Sequence, residues 1–227
     1  ALKRKVNILI KGETKNKEDS LALLCYNMMK TMYEKEYSEI LDLFYGVHVS
    51  QIKDINSEDI LSQRAEPYFM IDLPIPDIRN PSIYDCFDLY TNGERLDGDN
   101  KWYNEKEDRR MDVDKDIKFF SFPNILIIDF KRFNNMMRKN QVLIDYPLEN
   151  LDLSKYVIGY NKESYKYDLY GVCNHSGSVE GGHYTSYVKN ANGVWYLFND
   201  LSVTEVKNKD KIISQKSYCL FYRKIKR

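Results

Sequence analysis

From Gly46 onward the sequence breaks into short apolar–polar runs closed by turn residues, and this constrains the fold more than anything else in it. "VHVSQI", "YFMIDLPI", "IKFFSF", "NILIIDFKRF", "YKYDLYGVCNH", "HYTSYVKN", "VWYLFND" and "SYCLFYRKI" all read as strands. Ahead of them, Leu21, Leu24, Met28 and Met32, then Ile40, Leu43 and Phe44, recur at helical spacing between Asp19 and Tyr45. Asp19 or Ser20 is the expected cap of that segment. "SIYDCFDLYTNGERLDG" reads as a short helix followed by a turn, and "LENLDLSKYV" as a loop with a helical turn. A leading helical segment followed by many antiparallel-looking strands predicts an α+β fold. The charged stretch from Asn104 to Asp116 reads as a solvated excursion between strands.

Composition narrows the partners. Lysine plus arginine (34) balances aspartate plus glutamate (34), which points away from nucleic acid and from a lipid surface. No apolar run is long enough to cross a bilayer, and "ALKRKVNILIKG" lacks the length of a secretory signal. Cys25, Cys86, Cys173 and Cys219 are far apart with no CxxC pair, as suits reduced thiols in a cytoplasmic or nuclear protein. The 19 tyrosines favour half-buried strands.

The chemistry gathers near His183. Strand alternation puts His183, Thr185 and Tyr187 on one face, and "NANG" turns the chain back into "VWYLFND". A hairpin there returns Asn199 or Asp200 to His183, and a histidine acting as general base needs an acceptor to hold its second ring nitrogen. A three-residue loop puts Asn199 on the face of His183; a two- or four-residue loop puts Asp200 there. Spacing leaves both registers open. His48 reads as structural, and His175 as a turn histidine or a support for the site.

"YDLYGVCNHSGSVEGGHYTSYVKNANGVWYLFNDLSVTEV" closely resembles the histidine box of ubiquitin-specific proteases, papain-like cysteine peptidases that cut ubiquitin from its conjugates. "LFYGVHVSQI", "PYFMIDLPIP", "DCFDLYTNGERLDGDNKWY", "PNILIIDFKRF", "RKNQVLIDYPLENLDLSKYV" and "SYCLFYRK" follow that family's blocks in order. The resemblance implies a papain-like ubiquitin-specific protease fold within one partial catalytic domain: a thumb remnant (1–45), mainly fingers (46–125) and mainly palm (126–227). It implies that His183 is the general base, Asn199 the third triad member, and Asp200 a neighbour able to share that role; this favours the three-residue loop. It also implies that Gly181 and Gly182 flank the channel for ubiquitin's C-terminal Gly-Gly, and that Asp19 contacts the basic ubiquitin tail. Tyr184 is counted with them as substrate-binding.

The chain departs from the family pattern twice. Where the family often has two CxxC pairs of a zinc ribbon, it has Ile55 and Glu58, then Asn104 and Glu107, so no metal and no cofactor is expected. The Gly-Asn-Thr-Cys box of the nucleophile occurs nowhere in the 227 residues. The resemblance therefore implies a deubiquitinating hydrolase whose base and orienter lie in this chain and whose nucleophile belongs to a missing N-terminal segment of the same domain. Ubiquitin and its conjugates are the expected partners. The rival expectation is an inactive ubiquitin-binding scaffold, whose surface would need no catalytic group.

Overall fold

The computed structural model describes residues 14–57 and 59–225 and divides into two compact units. The first comprises residues up to Tyr68, Thr91–Phe122 and Lys155–Lys162; the second comprises Phe69–Tyr90, Pro123–Ser154 and Glu163 onward.

In the first unit the leading helical segment is two helices, α1 (Lys17–Glu36) and α2 (Glu39–Phe44), with Tyr37 extended between them. The cap of α1 is Asn16, not Asp19 or Ser20: its Oδ1 accepts the Asp19 N–H at 2.8 Å. Asp19 reaches back to accept the Lys15 N–H at 3.1 Å, so the first turn is closed reciprocally. Ala22 and Cys25 of α1 are fully buried against Val47, Val49, Ala65 and Phe120, with Leu21, Leu24 and Met28 packed around them. Farther along, Ile40 and Leu43 are exposed, so the apolar stripe read as continuous buries only its first half.

The sheet behind α1 is ordered β2-β1-β7-β4, from β1 (Gly46–Asp54), β2 (Ile60–Tyr68), β4 (Glu94–Leu96) and β7 (Val113–Ser121). Strand β2 carries no strand reading in the sequence. It lies at the sheet's edge, where Pro67 removes no ladder bond from a second neighbour. The supposed solvated excursion is also structured. Strands β5 (Trp102–Asn104) and β6 (Arg109–Met111) pair as a hairpin, and β7 begins at Val113.

In the second unit, β8 (Ile125–Phe130), β10 (Lys166–Gly177), β11 (Gly182–Lys189), β12 (Trp195–Asn199), β13 (Ser202–Glu205) and β14 (Ser217–Lys224) form the main sheet. With the short β3 (Ile71–Leu73) its order is β13-β12-β11-β10-β14-β8-β3, and β9 (Leu151–Asp152) pairs with β10. Only the β3–β8 pairing is parallel among these strands. Leu126, Ile128, Phe130, Leu169, Val172, Leu220 and Tyr222 make its buried side. The helix α3 (Ile83–Thr91) adds Ile83, Cys86 and Phe87 to the core. Ser82 and Asp85 bond reciprocally across its first turn. The abundant tyrosines explain themselves here: buried Tyr146, Tyr167 and Tyr222 donate to the carbonyls of Ile212, Pro123 and Pro147 at 2.9, 2.8 and 2.7 Å. Each buries a ring without orphaning its hydroxyl.

Candidate active site

The β11–β12 hairpin decides which acceptor reaches His183. Lys189 pairs with Trp195, and Asn190 donates no strand bond but accepts the Gly193 N–H and gives its own N–H to Val194, both at 2.9 Å. Ala191–Gly193 is thus a three-residue loop, and Gly193, at φ +82°, occupies the left-handed position such a loop requires. Ser186 faces Phe198 in this register. One residue on, Asn199 comes opposite Thr185, on the face that also carries His183.

The side chains meet accordingly. Nε2 of His183 lies 2.6 Å from Oδ1 of Asn199, and 4.0 Å from the Asp200 carboxylate. An amide oxygen can only accept, so Nε2 carries the proton and Nδ1 presents its lone pair. Nδ1 makes no hydrogen bond among the described residues, and the His183 side chain is 50% exposed. Asp200 stands at φ +50° in the two-residue turn between β12 and β13, its side chain 78% exposed. A charge in that setting is screened by water and steadies the ring little.

The two glycines before His183 differ. A Cβ on Gly182 would lie 2.4 Å from both Nε2 of His175 and the Ser176 carbonyl oxygen, so no larger residue fits there. A Cβ on Gly181 would meet nothing within 4 Å. Its surroundings are open.

Tyr184 is exposed and lies over His175, ring centroids 4.6 Å apart. His175 is a strand residue, not a turn residue, and is 4% exposed. Its pKa is lowered by burial and then by the Lys139 ammonium. Lys139 was not singled out in the sequence; its Nζ is 2.9 Å from Nδ1 of His175 and 2.6 Å from the His175 carbonyl oxygen. Only the quoted block "RKNQVLIDYP" contains a hint of it.

Asp19 belongs to the first unit and is 3% exposed. Besides closing the α1 cap, its Oδ1 accepts the Tyr160 hydroxyl at 2.5 Å. His48 stacks on Tyr68 and approaches Glu66 at 3.3 Å, a structural setting.

All four cysteines are free thiols. Cys25 and Cys86 are fully buried, and burial pushes each pKa up to about 12; at Cys86 Asp85 adds to it and Arg132 opposes. Cys219 is likewise pushed up to about 12, by burial, then Asp129 and Cys173, and Cys173 is raised by burial and then Asp129.

Of the zinc-ribbon positions, Glu58 lies outside the described residues. Asn104 is buried at 5%, its Oδ1 accepting the Lys106 N–H and its Nδ2 meeting Met111 Sδ at 3.5 Å. Among the described residues no three His, Cys, Asp or Glu side chains converge as a metal site, and no helix is long and apolar enough to cross a membrane.

An exposed histidine held by an asparagine, on an α+β scaffold, is an arrangement able to act as the base half of a cysteine- or serine-peptidase site. The chain belongs to the ubiquitin carboxyl-terminal hydrolase family, whose sequence model matches residues 6–222. It is 35% identical over 206 residues to ubiquitin carboxyl-terminal hydrolase 5 of Saccharomyces cerevisiae, covering 84% of this chain and 25% of that protein. It is also 35% identical over 214 residues to the probable ubiquitin carboxyl-terminal hydrolase R319 of Acanthamoeba polyphaga mimivirus, covering 90% of this chain and 45% of that one. The chain therefore spans less than half the length of either relative. A yeast SAGA DUBm structure aligns with a TM-score of 0.72 at 24% identity, over 91% of this chain and 47% of that one. A SAGA DUB module bound to monoubiquitin aligns with a TM-score of 0.72 at 23% identity, over 88% and 46%. At those identities the likeness establishes the ubiquitin-specific protease fold alone.

Proposed function

We propose that this chain supplies the base half of a deubiquitinating cysteine protease acting after ubiquitin's C-terminal glycine, with ubiquitin and its conjugates as partners. The observation that carries this reading is the 2.6 Å contact from Nε2 of His183 to Asn199, which leaves Nδ1 open. His183 takes the thiol proton at Nδ1, the thiolate attacks the carbonyl, and the imidazolium returns the proton to the departing lysine amine. Water then hydrolyses the acyl-enzyme with His183 again as base. Asn199 holds the ring; Asp200 is its solvated neighbour. Gly181, Gly182 and Tyr184 border the substrate's tail, and Asp19 contributes through the first turn of α1, which Asn16 caps.

The nucleophile, in this reading, is none of the chain's own cysteines and comes from residues outside these 227. The burial of Cys25 and Cys86 and the raised thiol pKa values of Cys25, Cys86 and Cys219 support that, since the thiolate is the nucleophilic form. Four free cysteines also suit a cytoplasmic or nuclear location.

The test is His183→Ala in the full-length protein, assayed with a ubiquitin C-terminal fluorogenic amide and by ubiquitin binding. Turnover should vanish while binding persists. Turnover within a few-fold of wild type removes His183 from the mechanism. A full-length protein that binds ubiquitin but never hydrolyses the amide makes it the scaffold.

A further inference from the structure

We propose that His175 is a positioning residue for His183: a neutral ring, pinned by Lys139 and covered by Tyr184, that sets where β11 begins. The inference rests on the reading of His183 as general base.

The starting point is the pairing of β10 with β11. His175 pairs with Tyr184, Ser176 with His183, and Gly177 with Gly182. The His175 ring lies next to Gly182, so close that a single added methyl there would fall 2.4 Å from Nε2. The backbone immediately before His183 is therefore seated on that ring. A shift of the ring moves Gly182 and, through one peptide, His183.

The ring is held from several sides. An ammonium only donates, so Lys139 Nζ at 2.9 Å makes Nδ1 of His175 an acceptor and puts the ring proton on Nε2. The same ammonium donates to the His175 carbonyl at 2.6 Å, tying ring and backbone to one group. Burial and Lys139 both lower the pKa of His175, consistent with a ring that stays neutral. Tyr184, Tyr218 and Phe133 enclose it at centroid distances of 4.6, 5.6 and 6.0 Å. Lys139 itself lies over the Phe133 ring at 5.8 Å. None of these groups reaches His183's own ring nitrogens; they act through the strand it sits on.

The experiment uses the full-length protein, a ubiquitin C-terminal fluorogenic amide, and the side-chain ¹⁵N resonances of His183. Lys139→Met should lower kcat at least about tenfold with KM within about threefold, and should shift the His183 nitrogens. Gly182→Ala should likewise lower kcat and shift the His183 nitrogens, by pushing the His175 ring aside. In a His175→Ala background the added cost of Gly182→Ala should shrink, because one of the two atoms it collides with is gone while the Ser176 carbonyl oxygen remains. Unchanged kcat and His183 resonances in Lys139→Met would overturn the proposal. So would a Gly182→Ala cost that is undiminished without the His175 ring. Wild-type turnover in His183→Gln would instead sink the reading of His183 as base, and the nitrogen resonances would still judge the positioning.

Discussion

Asn199 Oδ1 sits 2.6 Å from Nε2 of His183, while the carboxylate of Asp200, the next residue, stays 4.0 Å from the same nitrogen. The neutral group makes the hydrogen bond and the charged one stands off in water. In the proposed reading the hydrogen-bonded residue orients the ring, and it should matter more. Asn199→Ala in the full-length protein should reduce kcat on the order of a hundredfold or more, because the ring loses its tautomer and aim. Asp200→Ala should stay within about fivefold, as expected for a solvent-screened ion pair. The reverse order in steady-state assays would hand the orienting role to Asp200.

Asp19 offers a second contrast. Its carboxylate accepts the Lys15 N–H and the Tyr160 hydroxyl from a nearly buried position. Asp19→Ala should lower stability by about 1–2 kcal/mol through the lost bonds to the Lys15 N–H and the Tyr160 hydroxyl. KM for a ubiquitin amide should change less than about twofold if the residue never meets substrate. Denaturant melts and kinetics on one variant separate the two roles; a large KM rise with an unchanged melt would make it a contact residue.

The thiols yield a labelling order. A thiol with pKa about 12 is roughly one part in ten thousand thiolate at pH 8. Cys25, Cys86 and Cys219 should therefore resist iodoacetamide in the folded chain and react readily in denaturant. Half-buried Cys173 should label first. Peptide mapping by mass spectrometry after a short pulse checks this, and early labelling of Cys25 or Cys86 would contradict the packing.

Asp129 predicts a stability profile. Burial, then neighbouring Asp72, raise its pKa to about 7, with Arg132 opposing. Asp72 and Asp129 face one another in the parallel β3–β8 register. An acid whose folded pKa lies above its unfolded value holds more protons folded than unfolded, so its contribution to stability falls as pH rises from about 4 to about 7. Asp129→Asn should therefore stabilise the protein above pH 7, on the order of 2 kcal/mol after solvent screening, and change it little below pH 4. Thermal melts at pH 4 and pH 8 provide the comparison. Equal effects at both would detach the change from ionisation.

Strands with a long buried face announced themselves in the sequence, and strands that bury little or nothing were silent. "NILIIDF" and "YKYDLYGVCNH" carry apolar alternation because one side of each packs into a core. Strand β2, with Gln63, Arg64 and Pro67, and β13, exposed along its whole length, are edge strands. They exist because a neighbour's backbone groups need partners, and that need leaves no mark in local composition. The α1 cap was misread for a related reason: several polar residues precede the helix, and only the backbone geometry shows which one turns inward.

The sequence by itself determined the α+β class, the placing of His183 in a strand, and the short list of residues able to hold its ring, Asn199 and Asp200. Tertiary structure decided between those acceptors, since side-chain faces flip with each one-residue change of register and only the formed three-residue loop sets it. It also decided that Asp19 accepts the Tyr160 hydroxyl within its own unit, and that Lys139 and His175, 36 positions apart in the chain, hold each other beside the start of β11. Spacing along a chain reports which face a residue shares with its neighbours. Which distant residue meets it there depends on how the strands come together, and that is a property of the packed whole.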